Sequence, residues 1–197
     1  MHWKSAILGA AVAAAAFMAA GRVSSGDDKP KAPPSPQEIA KFMKLAPQHE
    51  ALKAYEGTWE GKGTVLEPGR PPTPFTATST YTMVLEGRYL QVEQELKIGP
   101  VATIKSLAFI AFDNVRKKYV FFDMEDYTTQ PVYAEGERDE AKKVLVLRGV
   151  DHLLPGLDRK FRNVTSDIVD DSFKVEAYSD DGTGEKKGVE ATYKRQK

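Results

Sequence analysis

Few side chains in this sequence can do chemistry near neutral pH. Histidine occurs at positions 2, 49 and 152, and cysteine is absent from all 197 residues. Without a thiol there is no cysteine nucleophile, no cysteine zinc site and no disulfide. The carboxylates cluster as Asp123/Glu125/Asp126, Asp170/Asp171 and Asp180/Asp181. A hydrolytic carboxylate pair must converge across a cleft, whereas adjacent residues on one strand point to opposite sides. These acids are therefore read as solvated turn residues. Asp180-Asp181-Gly182 lacks the spaced ligands and closing glutamate of a calcium loop. His49 reads as a helix-end hydrogen-bonder, and His152 falls in a loop with Leu153, Leu154, Pro155 and Gly156. No G-x-S-x-G, P-loop or H-E-x-x-H spelling occurs, so nothing nominates a nucleophile with its base. What remains is a set of aromatics, Tyr81, Tyr119, Phe121 and Tyr193, suited to hold an apolar molecule.

Those aromatics lie on segments that read almost wholly as β. Strand-like runs fall near 57–66, 74–86, 88–97, 102–113, 117–126, 131–138, 143–150, 159–169, 172–179 and 187–195. Turn signals separate them: the proline-rich 67–72 loop, Glu86-Gly87-Arg88, Gly99-Pro100, Asp113-Asn114, and Asp181-Gly182 as a primed hairpin turn. Regular strands with no interleaved helices argue for a sandwich or barrel. At period two, Gly57, Trp59, Gly61, Gly63 and Val65 share one face, an indole flanked by residues without side chains. Such glycines permit the bend and close backbone approach that a small closed barrel needs. Val189, Ala191, Tyr193 and Arg195 share a face, as do Ala77, Tyr81, Met83 and Leu85. The 117–126 run is apolar on both faces, Tyr119 and Phe121 against Val120, Phe122 and Met124. Its pattern does not orient it, and cover is expected on both sides, by the N-terminal helices on one of them.

Ahead of the strands, Ser35-Pro36-Gln37-Glu38 spells a capping box with proline at the first helical position. Ile39, Phe42 and Met43 follow as an apolar stripe, and Pro47 interrupts it before a second short helix over Gln48–Tyr55, with Leu52 and Tyr55 inward. Residues 22–35 mix charge, serine and proline and read as a flexible linker. Residues 1–21 carry Lys4 and an apolar run from Ala6 to Ala20, shorter than the roughly 20 residues of a spanning helix. They read as a signal peptide, with an uncleaved anchor as the rival. The expectation is an exported protein, periplasmic or extracellular, whose single domain occupies 36–197. With 28 basic and 28 acidic residues, no net charge draws it to nucleic acid or to a membrane.

The G-x-W opening at Gly57-Thr58-Trp59 resembles the first strand of calycin barrels, the lipocalins and their relatives. A closer resemblance is carried by Met43-Lys44-Leu45-Ala46, Pro68-Gly69-Arg70-Pro71-Pro72, Gly87-Arg88-Tyr89-Leu90, the run Phe112 to Val120, and Thr192-Tyr193-Lys194-Arg195. In this order they resemble a bacterial family, domain of unknown function 1579, whose members are similar to calycin-type barrels. The resemblance implies a fold and offers no established reaction. The chain departs from the family pattern at Phe121 to Asp126, where a Trp or Gly-rich segment is expected. In lipocalins a first-strand tryptophan packs under a late-strand arginine and closes one barrel end, and the resemblance gives those roles to Trp59 and Arg195. The G-x-W-x-G-x-G spelling is also similar to haem-binding barrels of the nitrobindin type. Their axial histidine lies near the C-terminal strands, whereas Val189 to Lys197 contains none, so His49 or His152 would have to substitute.

The resulting expectation is an all-β, up-and-down antiparallel barrel of about ten strands, calycin- or lipocalin-like, preceded by short helices. Its mouth would hold one small, largely apolar molecule through Trp59, Tyr81, Tyr119, Phe121, Tyr193 and Arg195. No cofactor, metal, catalytic residue, nucleic-acid partner or stable membrane insertion is expected. The alternatives are an envelope-structural protein with a filled barrel, a haem-binding barrel, and an enzyme, which would require a converging polar cluster with perturbed proton affinities in the cavity. A connected interior space of a few hundred cubic ångströms separates binding from filling.

Overall fold

The computed structural model describes residues 33–100, 102–154 and 157–197. The signal segment expected at 1–21 and the linker up to residue 32 lie outside the described residues. Two short helices, α1 (Pro36–Met43) and α2 (Pro47–Lys53), precede the strands. The strands are β1 (Gly57–Val65), β2 (Thr73–Val84), β3 (Tyr89–Ile98), β4 (Ala102–Asp113) and β5 (Lys118–Glu125). They continue as β6 (Val132–Asp139), β7 (Val144–Leu154), β8 (Leu157–Ser166), β9 (Ser172–Asp180) and β10 (Lys186–Arg195). Each pairs antiparallel with its neighbour in sequence, and β1 closes on β10, giving the closed up-and-down barrel expected. Closure leaves no unpaired edge to template aggregation.

The turns follow from side-chain chemistry. Between β4 and β5, Asp113 Oδ1 accepts from the N–H groups of Val115 at 2.7 Å and Arg116 at 3.0 Å. Asn114 Nδ2 donates to the carbonyls of Phe42 at 2.9 Å and Lys44 at 2.6 Å, tying this turn to the last turn of α1 and the residue that follows it. Leu85, expected on the inner face of β2, instead lies in the β2–β3 turn at φ 50° and is 69% exposed. The chain reverses there through Leu85, Glu86 and Gly87 in succession at positive φ, so the alternation stops at Val84. The hairpin expected at Asp181-Gly182 is wider than a two-residue turn, because β9 ends at Asp180 and β10 begins at Lys186. Asp180 Oδ1 holds that loop by accepting from Gly182 N and Gly184 N.

Inward positions match the alternation in β2 and β10 and resolve it in β5. Tyr119 pairs with Gly136 and Phe121 with Ala134, so the large rings of β5 lie on the barrel's inner face beside small residues of β6. Val120, Phe122 and Met124 point outward. The cover expected on that side is partial: Val120 is half-buried near the residues after α1, while Phe122 and Met124 are each 39% exposed. Helix α1 buries none of its residues, Phe42 and Met43 being exposed. Helix α2 buries His49 and Leu52. Leu52 joins Leu90, Phe112, Tyr119, Ala134 and Leu147 in one core cluster, and Trp59, Phe75, Ala77, Phe173, Ala191 and Tyr193 form the other.

No described helix is long and apolar enough to cross a membrane. The outward positions of β1 and β3 carry Glu60, Lys62, Glu93, Glu95 and Lys97, and charges facing lipid at mid-bilayer cost about 2–4 kcal/mol each for basic residues.

Candidate functional site

One end of the barrel is sealed. Trp59 stands directly opposite Arg195 in the β1–β10 register and is fully buried. The Arg195 guanidinium carbon lies 4.2 Å from the indole centroid. Arg195 also donates to the carbonyls of Glu56 and of Ala54 and to Asp171 Oδ1, and Trp59 Nε1 donates to Tyr55 O at 2.8 Å. The arginine thus binds the segment linking α2 to β1 across the barrel rim. Phe173 packs edge-on to Trp59 at 4.8 Å and stacks on Tyr193 at 5.0 Å, and such pairs contribute about 0.5–1.5 kcal/mol each beyond their burial. Tyr119 is buried beside Phe112, ring centroids 5.1 Å apart, in the cluster that includes Leu52 of α2.

Beyond this seal the interior opens into a cavity of about 340 Å³, at the lower end of the roughly 300–1,000 Å³ of small-molecule pockets. Tyr81, Leu90, Val92, Ile110, Phe121, Leu147, Phe173 and Tyr193 form much of its apolar wall. Part of its polar lining is satisfied internally: Ser79 Oγ and Tyr193 Oη both donate to Gln94 Oε1, at 2.9 and 3.1 Å, and Tyr55 Oη donates to Ser166 O at 2.8 Å. Burial pushes the Tyr193 phenol up to about 12 and the Tyr81 phenol higher still, so both stay neutral.

Away from α2, the wall carries Ser106, Asp123 and Glu125. Asp123 and Glu125 are not the solvated turn residues expected from the sequence. They share the inward face of β5 with Tyr119 and Phe121. Asp123 Oδ1 is buried without a hydrogen-bond partner. Burial, then the nearby Glu125 charge, pushes the Asp123 carboxyl up to about 7, against the pull of Met124 N–H and the Ser106 hydroxyl. The other acids behave as expected: Asp180 and Asp181 accept from the amides of their own turn, and Asp170 and Asp171 occupy a positive-φ turn.

Of the six residues singled out from the sequence, Tyr81, Phe121 and Tyr193 line the cavity, whereas Trp59, Tyr119 and Arg195 lie in the seal and the core beside it. Asp123, Glu125, Ser106 and Gln94 are cavity residues that sequence reasoning missed. The signal was parity: Asp123 and Glu125 stand two and four residues beyond Phe121, so orienting β5 orients them too.

Neither described histidine reaches the cavity wall. His49 Nδ1 accepts from Ala46 N–H at 3.0 Å at the start of α2, and His152 Nδ1 pairs with Asp158 on the exterior at 2.7 Å. The haem reading therefore has no axial histidine inside the barrel, and no group of three His, Asp or Glu side chains able to hold a metal occurs among the described residues. A wider concavity of about 940 Å³ on the outer side of β6–β8 is shallow and bordered by the pairs Arg162–Glu185 and Lys118–Glu135.

A closed ten-stranded antiparallel barrel, sealed at one end by tryptophan and arginine and hollow inside, is a calycin-like barrel. The chain belongs to the family described as protein of unknown function (DUF1579), which it matches over residues 44–195. Its fold is similar to the S-type phycobiliprotein lyase CPES from Guillardia theta, with a TM-score of 0.59 and 12% identity over 83% of this chain and 99% of that one. It is also similar to the crystal structure of Rv2717c from M. tuberculosis, with a TM-score of 0.56 and 16% identity over 78% of this chain and 100% of that one. No curated protein matches it significantly in sequence.

Proposed function

We propose that this protein is an exported binding module that holds one small, largely apolar molecule inside its barrel. The observation that carries the reading is the cavity of about 340 Å³ with its aromatic and aliphatic wall. A barrel whose role was structural would gain stability by filling that space, since cavities cost stability in proportion to their volume. Tyr81, Phe121 and Tyr193 supply apolar contact area, and the two tyrosines add polar tips. Trp59, Arg195 and Tyr119 support the site by closing the end against which the ligand rests. The likeness in fold to a phycobiliprotein lyase is consistent with small-molecule binding in this architecture. Export rests on the signal-like residues 1–21.

Native mass spectrometry of protein purified from its own host tests the reading. A co-purifying small molecule of a few hundred daltons, released on unfolding, is the expected result. Protein of bare polypeptide mass that also takes up no apolar compound overturns it.

A further inference from the structure

The cavity is apolar along most of its wall and acidic in one place. Asp123 and Glu125 project from the same face of β5 into the end away from α2. Neither forms an ion pair with a lysine, arginine or histidine among the described residues. Each neighbouring element leaves Asp123 without a cation. Its cross-strand partner on β4 is Ala108 and on β6 is Val132, and the adjacent polar groups are the Ser106 hydroxyl and the Gln94 amide. Further around the same end, Arg159 donates to Asp151 at 2.6 Å, and Tyr127 lies beside Glu125. Asp123 Oδ1 is left buried with no donor, an arrangement that is unfavourable when nothing fills the space beside it. The Ser106 hydroxyl and the Met124 N–H pull on the Asp123 carboxyl, yet Oδ1 still has no partner, and the nearby Gln94 oxygen is already taken by Ser79 and Tyr193. A terminal carboxyl turns on a broad torsion, so either oxygen can be offered to an incoming group.

We propose that the bound molecule carries a nitrogen donor, a protonated amine on an apolar body, with its nitrogen at Asp123 and Glu125 and its body against Tyr81, Phe121 and Tyr193. This rests on the binding-module reading and adds the chemistry of the ligand to it. Above about pH 7, where Asp123 joins Glu125 in ionised form, the acids select against a carboxylate head: a fatty acid entering head-first would set like charges together in a site of low dielectric. Because Asp123 holds a proton near neutrality, an amine that takes its ionised form displaces that proton, and binding tightens as pH rises towards 7.

Three probes with one tail separate the possibilities: decylamine, decanol and decanoate, titrated calorimetrically into the full chain between pH 5 and 7.5. Decylamine should bind at least tenfold tighter than decanoate at pH 7.5, and should weaken by up to about tenfold per pH unit below 7, the slope of one linked proton. Asp123→Asn should remove both the preference and the slope. Glu125→Gln should weaken decylamine without abolishing the slope, and serves in place of the Asp123 variant if that one does not fold. Equal binding of the three heads, or tightest binding of decanoate, overturns the amine while the pocket stands. Binding of none overturns the pocket itself.

Discussion

Trp59 and Arg195 face each other across the β1–β10 register, with the guanidinium carbon 4.2 Å from the indole centroid. That pair joins the first strand to the last and ties both to the α2–β1 segment through the carbonyls of Ala54 and Glu56. Trp59→Ala should therefore destabilise by about 3–5 kcal/mol, the range for removing a buried large aromatic. Arg195→Ala should cost less, since the arginine is partly exposed. The double variant should fall short of the sum by about 0.5–2 kcal/mol, the strength of a cation–π contact. Additive losses in urea denaturation would show that the stack adds no stability.

Asp123 gives stability an unusual pH dependence. Its carboxyl is held neutral to about 7 in the fold, mainly by burial, against an ordinary value of 3.8 in the unfolded chain. Between those limits the native state keeps a proton that the unfolded state has released, so stability falls as pH rises, by at most about 1.4 kcal/mol per unit. Above about 7 both states are ionised and the contribution is gone. Denaturation at pH 4.5, 5.5 and 7.5 should show this decline, and Asp123→Asn should flatten it. An unchanged slope in the variant would assign the effect elsewhere.

Strand positions were legible because turn chemistry marks them: Asp113-Asn114 and Gly99-Pro100 fall where the chain reverses. The facing of β5 was not legible, because Tyr119 and Phe121 are as apolar as Val120, Phe122 and Met124. It is decided by long-range register, which sets Tyr119 against Gly136 and Phe121 against Ala134. The acids of the site were hidden by the same ambiguity, since a strand without an assigned inner face gives Asp123 no location. Leu85 was misplaced because alternation carries no mark of where a strand stops, and its positive φ belongs to the turn.

Two glycines are there for space and not for flexibility. A Cβ at Gly61 would lie 2.6 Å from the Tyr193 ring, and one at Gly136 would lie 1.8 Å from Val146 O. Gly136→Ala meets backbone that cannot step aside and should destabilise by at least about 1–3 kcal/mol. Gly61→Ala meets a ring that can shift into the cavity, so it should cost less stability while reducing uptake of any probe. Equal thermal losses for the two would contradict the distinction.

Processing is testable by intact mass. Material recovered from the periplasm or medium should begin between about residues 20 and 26, because the apolar run is of signal length. A full-length mass that follows the membrane fraction would indicate an anchor.

The central claim, that the barrel is a chamber for an apolar guest, is tested most directly by melting temperature against ligand concentration. Decanol, decylamine, isoprenoids, sterol-like compounds and haem are appropriate probes. A guest that binds only the native barrel at a hundred times its Kd adds about 2.7 kcal/mol, worth roughly 5–10 °C for a domain of this size. The account predicts such a rise for at least one apolar probe, and its loss in Phe121→Trp, where added bulk on the cavity wall occupies the guest's place. A melting temperature unmoved by every probe, with Phe121→Trp merely less stable than the parent, would contradict it.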